Sequence, residues 1–178
     1  MTNRTSKLVF ALAMLLTALV LNVPSSAVAA SRTSTVTVTT TVSPSCNISA
    51  ATLAFAAYDP VNTHATVPDD ATGGITVRCT KGATGITIDL GAGANNSGSQ
   101  RQMVHATNNT ILLGYEIYKE AGHTNVWGLG DGGSVNSGTT LDGTGSDVVV
   151  TMYGRIPAAQ LQAIAGNYSD TVVSTVNF

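Results

Sequence analysis

The residues able to do chemistry are few and scattered. His64, His105 and His123 each fall in or beside a turn-rich segment, far apart in the chain. Loop histidines of this kind are expected to be solvated. No G-x-S-x-G elbow supplies a nucleophile, and no H-E-x-x-H pair supplies a metal site. Carboxylates are mostly single (Asp59, Asp89, Asp170), apart from the Asp69–Asp70 doublet after Pro68. Glycoside hydrolysis needs two that face one another, and nothing singles out such a pair. "GLGDGG" at 128–133 looks superficially like a phosphate loop, but it does not sit between a strand and a helix in a βαβ unit. Asp131 and Asp142 fit no standard calcium loop. The inventory predicts no catalysis, no cofactor and no metal.

Two cysteines remain, Cys46 and Cys79, and the start of the chain decides what they do. Residues 1–30 read as a secretory signal peptide: Arg4 and Lys7, an apolar run from Leu8 to Leu21, then the small residues "AVAA". The run is shorter than the roughly 20 residues of a membrane-spanning helix. Asn22 and Pro24 end it, and no cysteine at the cut invites a lipid anchor. A pair of cysteines exported to an oxidising space is expected to form one disulfide. Closing its loop constrains the unfolded chain by roughly 3.5–4 kcal/mol as an upper estimate. Zinc is the weaker alternative, since no histidine lies near either thiol in sequence.

Charge is informative by its scarcity. The chain has 8 Lys+Arg and 10 Asp+Glu, and charged residues make up 10% of it, against about 25% in ordinary domains. No basic stripe exists to neutralise phosphates, so nucleic acid is not an expected partner. The surface must be built from Thr, Ser, Asn and Gly. Such surfaces suit secreted proteins and subunits that bury much of themselves in an assembly.

The elements that position these residues are short β-type runs between turn-rich segments. The runs are 32–42, 46–55, 74–79, 85–90, 111–120, 125–128, 147–156 and 170–178. The segments between them, at 56–73, 91–109 and 129–146, are loaded with Gly, Asn, Asp, Ser or Pro and could hide further strands. Only "PAAQLQAIAG" (157–166) has a helical look, with Pro157 at a first helical position and Gly166 to close it; a Pro-started irregular loop is the alternative. Seven or eight strands without intervening helices predict an antiparallel β-sandwich.

The two ends of the mature chain complement each other. In "RTSTVTVTTTV", Val36, Val38, Thr40 and Val42 share one face and threonines fill the other. This strand precedes the first cysteine and has no turn joining it to a partner. It reads either as an ordinary first strand or as one that reaches a neighbouring molecule. At the far end, "DTVVSTVNF" places Val172, Val176 and Phe178 on one face, with no later strand to cover it. An uncovered edge of this kind is one that natural proteins avoid, and a strand supplied from outside would complete it.

Taken together, "FAAYDP", "GGITVRCT", "LGYEIYKEAGHTNVWGLG", "VVVTMYGRIPA" and "GNYSDTVVSTVNF" resemble the spore coat protein U domain family, from about residue 34 to 178. That family includes pilin subunits of archaic (Csu-type) chaperone–usher fimbriae. The resemblance implies an incomplete immunoglobulin-like sandwich in residues 44–178, preceded by an N-terminal donor-strand extension at 31–43. It implies that Val36, Val38, Thr40 and Val42 enter a neighbouring subunit. The strand with Val172, Val176 and Phe178 would line the accepting groove and meet a periplasmic chaperone, and an outer-membrane usher would carry out the exchange. The product would be a cell-surface fimbria serving adhesion or biofilm formation. Ala56 stands where the family leads one to expect glycine. Two other readings stay open: a secreted coat protein with a self-complete sandwich, and a sugar- or ion-binding module using loops near Tyr58 and Trp127.

Overall fold

The computed structural model describes residues 28–49, 52–98, 100–128 and 141–178. The signal-peptide reading therefore falls almost wholly outside the described residues, as does nearly all of "GLGDGG", including Asp131. The chain divides into two units at Thr40/Thr41. Of the first, residues 28–40 are exposed and belong to no strand.

The second unit is an all-β, antiparallel, incomplete immunoglobulin-like sandwich. Its strands are β1 (Cys46–Ser49), β2 (Asp69–Cys79), β3 (Thr87–Leu90), β4 (Arg101–His105), β5 (Asn108–Tyr118), β6 (Asp147–Ile156), β7 (Tyr168–Ser169) and β8 (Ser174–Asn177). Six of them form one sheet in the order β1-β2-β6-β5-β4-β7, and β3 pairs with β8 in a second. Alternation drives the burial. Ile75 and Val77 of β2, Val150 and Met152 of β6, and Leu113, Tyr115 and Ile117 of β5 turn inward at every second position. They meet Ile86, Ile88 and Leu90 from the region of β3.

The disulfide joins Cys46 to Cys79, which lie directly opposite each other in the β1–β2 ladder. A buried arginine ties the two sheets. The Arg101 side chain has no exposed surface; its guanidinium donates to the carbonyls of Leu90, Gly91 and Trp127 and to the Glu116 carboxylate. Trp127 is fully buried, and its indole N–H donates to the Ile88 carbonyl at 2.9 Å. Trp127 is thus a core residue and presents no ring to a sugar.

The structure bears on several readings that the sequence left open. The segment 157–166 forms no helix: Ala159 takes a left-handed φ of 63°, a conformation that breaks the helical path. Tertiary bonds fix the segment instead, with the Tyr58 hydroxyl donating to Pro157 O and Gln160 bonding both backbone groups of Gly114. The turn-rich segments do hide strands: β2 begins at Asp69, and β4 lies inside 91–109. The opening run 32–42 forms no strand in this chain, having no ladder partner among the described residues. Ala56 is exposed and is not in the left-handed region, so its Cβ is tolerated where glycine was expected.

Candidate functional site

The site is an open groove between two stretches of chain that should, in a complete sandwich, be separated by one more strand. The first wall is residues 52–61. After β1 the chain crosses the face of β2 and β6 without entering a ladder. Two glycines make room for it. A Cβ on Gly154 would lie 2.7 Å from Leu53 Cδ2 and 2.8 Å from Phe55 Cζ, and one on Gly73 would meet the Thr52 carbonyl at 3.0 Å. Leu53 and Phe55 consequently lie half-buried against the core, with exposed Ala54 and Ala56 alternating between and after them.

The second wall is residues 163–174. Tyr168 and Ser169 pair with His105 and Val104 of β4, and β8 pairs with β3 on one side only. Asp170 anchors the turn between them. One of its oxygens accepts from the backbone N–H groups of Ala94 and Thr171 and from the Asn95 amide, and the other accepts from the Tyr115 hydroxyl at 2.8 Å. Burial, followed by the bond to Asp170, pushes the Tyr115 hydroxyl well above the usual range for a phenol, so it stays a donor.

The floor is apolar. One cavity of about 640 Å³ lies over Met103, Leu113 and Ile156, between Tyr58–Val61 and Ala163–Tyr168. A second of about 480 Å³ lies over Ile75, Leu90, Ile117 and Met152, between Thr52–Phe55 and Tyr168–Ser174. Phe55, Met103 and Tyr168 line both, so the two cavities lie side by side between the same two walls. Phe55 meets the Tyr115 ring edge-on there, with centroids 6.2 Å apart.

Of the acceptor residues expected from sequence, Val172 lines the second cavity. Val176 is half-buried opposite Ile88, and Phe178, at 60% exposure, lines neither cavity. Val36, Val38 and Val42 are 81%, 88% and 75% exposed, and Thr40 is exposed as well. Sequence reasoning missed the first wall as a groove element, together with the floor residues Met103, Leu113 and Ile156. The alternation in "TLAF" was the available signal for the wall. The floor carries none, because its residues look like any core.

The histidines correct an expectation, because none is solvated. His64 and His105 are buried, and so is the His123 side chain. Each packs on tyrosine: His64 on Tyr58, His105 on Tyr168, and His123 on both Tyr118 and Tyr153. Among the described residues no three His, Cys, Asp or Glu side chains come together as a metal site. No helix among them is long and apolar enough to cross a membrane.

A β-sandwich with one strand position left open as an apolar groove defines the class of incomplete immunoglobulin-like folds. The sequence matches the Spore Coat Protein U domain over residues 32–175, and the chain belongs to that family. Among solved structures, the fold is similar to a chain of the CsuC–CsuE chaperone–tip adhesion subunit pre-assembly complex, from the archaic chaperone–usher Csu pili of Acinetobacter baumannii. The TM-score is 0.53 at 22% identity over 78% of this chain, which spans 40% of that one. Comparison with curated proteins found no match.

Proposed function

We propose that this protein is a structural subunit of a cell-surface fimbria, built by inserting the extension of one copy, or of a sister subunit, into the groove of the next. The observation that carries this reading is the groove itself, open along walls of ten or so residues. A segment of matching length, Arg32–Val42, lies in the same chain with its valines exposed. At about 3.3 Å per residue that segment extends to roughly 36 Å, enough to run the length of walls 52–61 and 163–174. Val36, Val38, Thr40 and Val42 would point to the apolar floor, with Thr35, Thr37, Thr39 and Thr41 turned out.

Elementary energetics support such an exchange without any catalyst. A strand added to the open edge gains about six to ten backbone hydrogen bonds, each worth roughly 0.5–1.5 kcal/mol. Each buried valine adds about 1.5–3 kcal/mol as an upper bound. Until a neighbour supplies that strand, the open groove calls for a temporary occupant. A periplasmic chaperone strand fills that role in this reading, and an outer-membrane usher exchanges it. The protein would pass through the periplasm to the cell surface and serve adhesion or biofilm formation.

The test is the mature chain with and without residues 31–43, expressed in a periplasm and followed by size exclusion and electron microscopy. Polymers that require the extension, and that are lost in Val38→Asp, support strand exchange. Stable monomers in every case would favour the self-complete coat protein instead.

A further inference from the structure

The wider half of the groove has each of its walls tied by a buried histidine. On the first wall, the Asp59 backbone N–H donates to Nδ1 of His64 at 2.8 Å. The His64 ring stacks on Tyr58, with centroids 4.8 Å apart and planes 11° from parallel. Tyr58 and Asp59 both line this cavity. On the second wall, the Thr107 N–H donates to Nδ1 of His105 at 3.3 Å, and Nε2 of the same ring lies 3.3 Å from the Ala165 carbonyl. His105 packs edge-on against Tyr168, and a Cβ on Gly166 would collide with its Nε2. Ala165, Gly166 and Tyr168 form the opposite lip of the same cavity.

A ring nitrogen can accept a backbone N–H only when it carries no proton. Both rings are therefore neutral, with their proton on Nε2. That proton faces the Ala165 carbonyl in His105, and in His64 it faces the Asp69 carboxylate, 4.0 Å away. A second proton would have to go on Nδ1, where a backbone N–H already points. The other half of the groove has no histidine in its lining, and its second wall is tied by Asp170 and the β3–β8 ladder.

The geometry points to a proton-sensitive half-groove, in which neutral His64 holds the first lip through the Asp59 N–H and releases it on protonation, while His105 keeps its Nε2 proton on the Ala165 carbonyl and holds the second lip throughout. This rests on the reading of the groove as a strand acceptor. The groups around each ring set this difference. His64 faces the carboxylates of Asp59 and Asp69 and the ring of Tyr58, and the packed segment 157–160 offers it only the Ala159 N–H, donated to its carbonyl. At the end of β6, Arg155 is engaged by Asp70. Asp69 Oδ2 is buried without a hydrogen-bond partner and draws an imidazolium toward it, while a protonated Nδ1 can no longer accept the Asp59 N–H. Around His105 stand Tyr168 of β7 and Thr107, with no charged side chain among its bonded or stacked partners. Arg101, on the same strand, is held by Glu116. Histidine is the side chain whose charge ordinarily changes between pH 5 and 8, so acidification weakens the grip on one half of an inserted strand.

The experiment uses the full chain carrying Val38→Asp, which disables its own extension, and an acetylated peptide of residues 32–42, which has no group titrating in that range. Peptide affinity is measured at pH 8 and pH 5. It should fall by about fivefold or more as the His64 latch is lost. His64→Asn and His105→Asn each keep an acceptor oxygen near the Nδ1 position but do not titrate. His64→Asn should remove most of the pH dependence, and His105→Asn little of it. No pH dependence in the parent chain, or an equal dependence in His64→Asn, overturns the proposal. A groove that takes no peptide at any pH would retire the acceptor reading, so a second readout omits the peptide. In NMR of the free chain, the Asp59 amide resonance must move with the titration of the His64 ring. An Asp59 amide that stays still while the ring titrates overturns the latch.

Discussion

Every nitrogen of Arg101 is committed, the backbone N–H and Nη1 to Glu116 and the rest of the guanidinium to three carbonyls. Removing such a group strands its partners in a medium that cannot hydrate them. Arg101→Met should therefore cost about 3–5 kcal/mol, read as a lower midpoint in urea. Arg101→Lys should recover little of that loss, because an ammonium cannot span carbonyls that a planar fork reaches together. Neither this arginine nor the buried histidines were legible from their surroundings in sequence. His64, His105 and His123 sit among turn residues, and the tyrosines that bury two of them come from other parts of the chain: Tyr168 covers His105, and Tyr153 helps cover His123. Local composition reports the turn; burial depends on what the fold brings to it.

At the scale of elements, legibility followed the strength of alternation. β6 was placed at 147–156 to the residue, since "DVVVTMYGRI" alternates against β-branched neighbours between a turn and a proline. The first half of β2, "DDATGG", has almost no strand propensity of its own and is a strand because it pairs with β6 from Asp69↔Ile156 onward. The groove's first wall depends on the same pairing through Gly154, which leaves space for Leu53 and Phe55. Gly154→Val would push those two side chains aside. Overpacking of this sort costs typically 1–3 kcal/mol, or about that here. The sheet should survive by circular dichroism with a somewhat lower melting temperature. Assembly into polymers should fall disproportionately, by about tenfold for each 1.4 kcal/mol taken from strand binding. Unchanged assembly would mean that the 52–61 wall does not grip the incoming strand.

For the whole molecule, scarce charge leaves few groups to set its response to acid. The Asp70 carboxyl is held below the usual range first by its hydrogen bond from Arg155, and Asp147 likewise by Arg78. The carboxyls of Asp59 and Glu120 are lowered chiefly by bonds from Asn62 and Thr124. A group whose folded value lies below its unfolded value stabilises the fold above the unfolded value, near pH 4, and loses that contribution as the pH falls through the folded one. The contribution of these four groups to melting temperature should hold steady from neutrality to about pH 5 and decline below about pH 4, apart from any loss at the His64 latch. The decline should be shallow, because these side chains are largely exposed to water that screens them. A steep collapse above pH 5 would point to other groups.

The Cys46–Cys79 bond also bears on how a fibre of such subunits would carry load. Tension arriving along the extension reaches the folded body at Cys46, the first residue of β1, and passes straight across the sulfur bridge to the end of β2. The residues between the two cysteines, which include the first wall of the groove, form a closed loop that pulling on the extension cannot unravel. In single-molecule stretching, an oxidised subunit should therefore lengthen less on unfolding than a reduced one. The difference is the 33-residue separation of the cysteines, or roughly 110–120 Å of extended chain. The bridge would thus act as a mechanical stop, which keeps the first wall of the socket for the next subunit inside a closed loop while the filament is stretched.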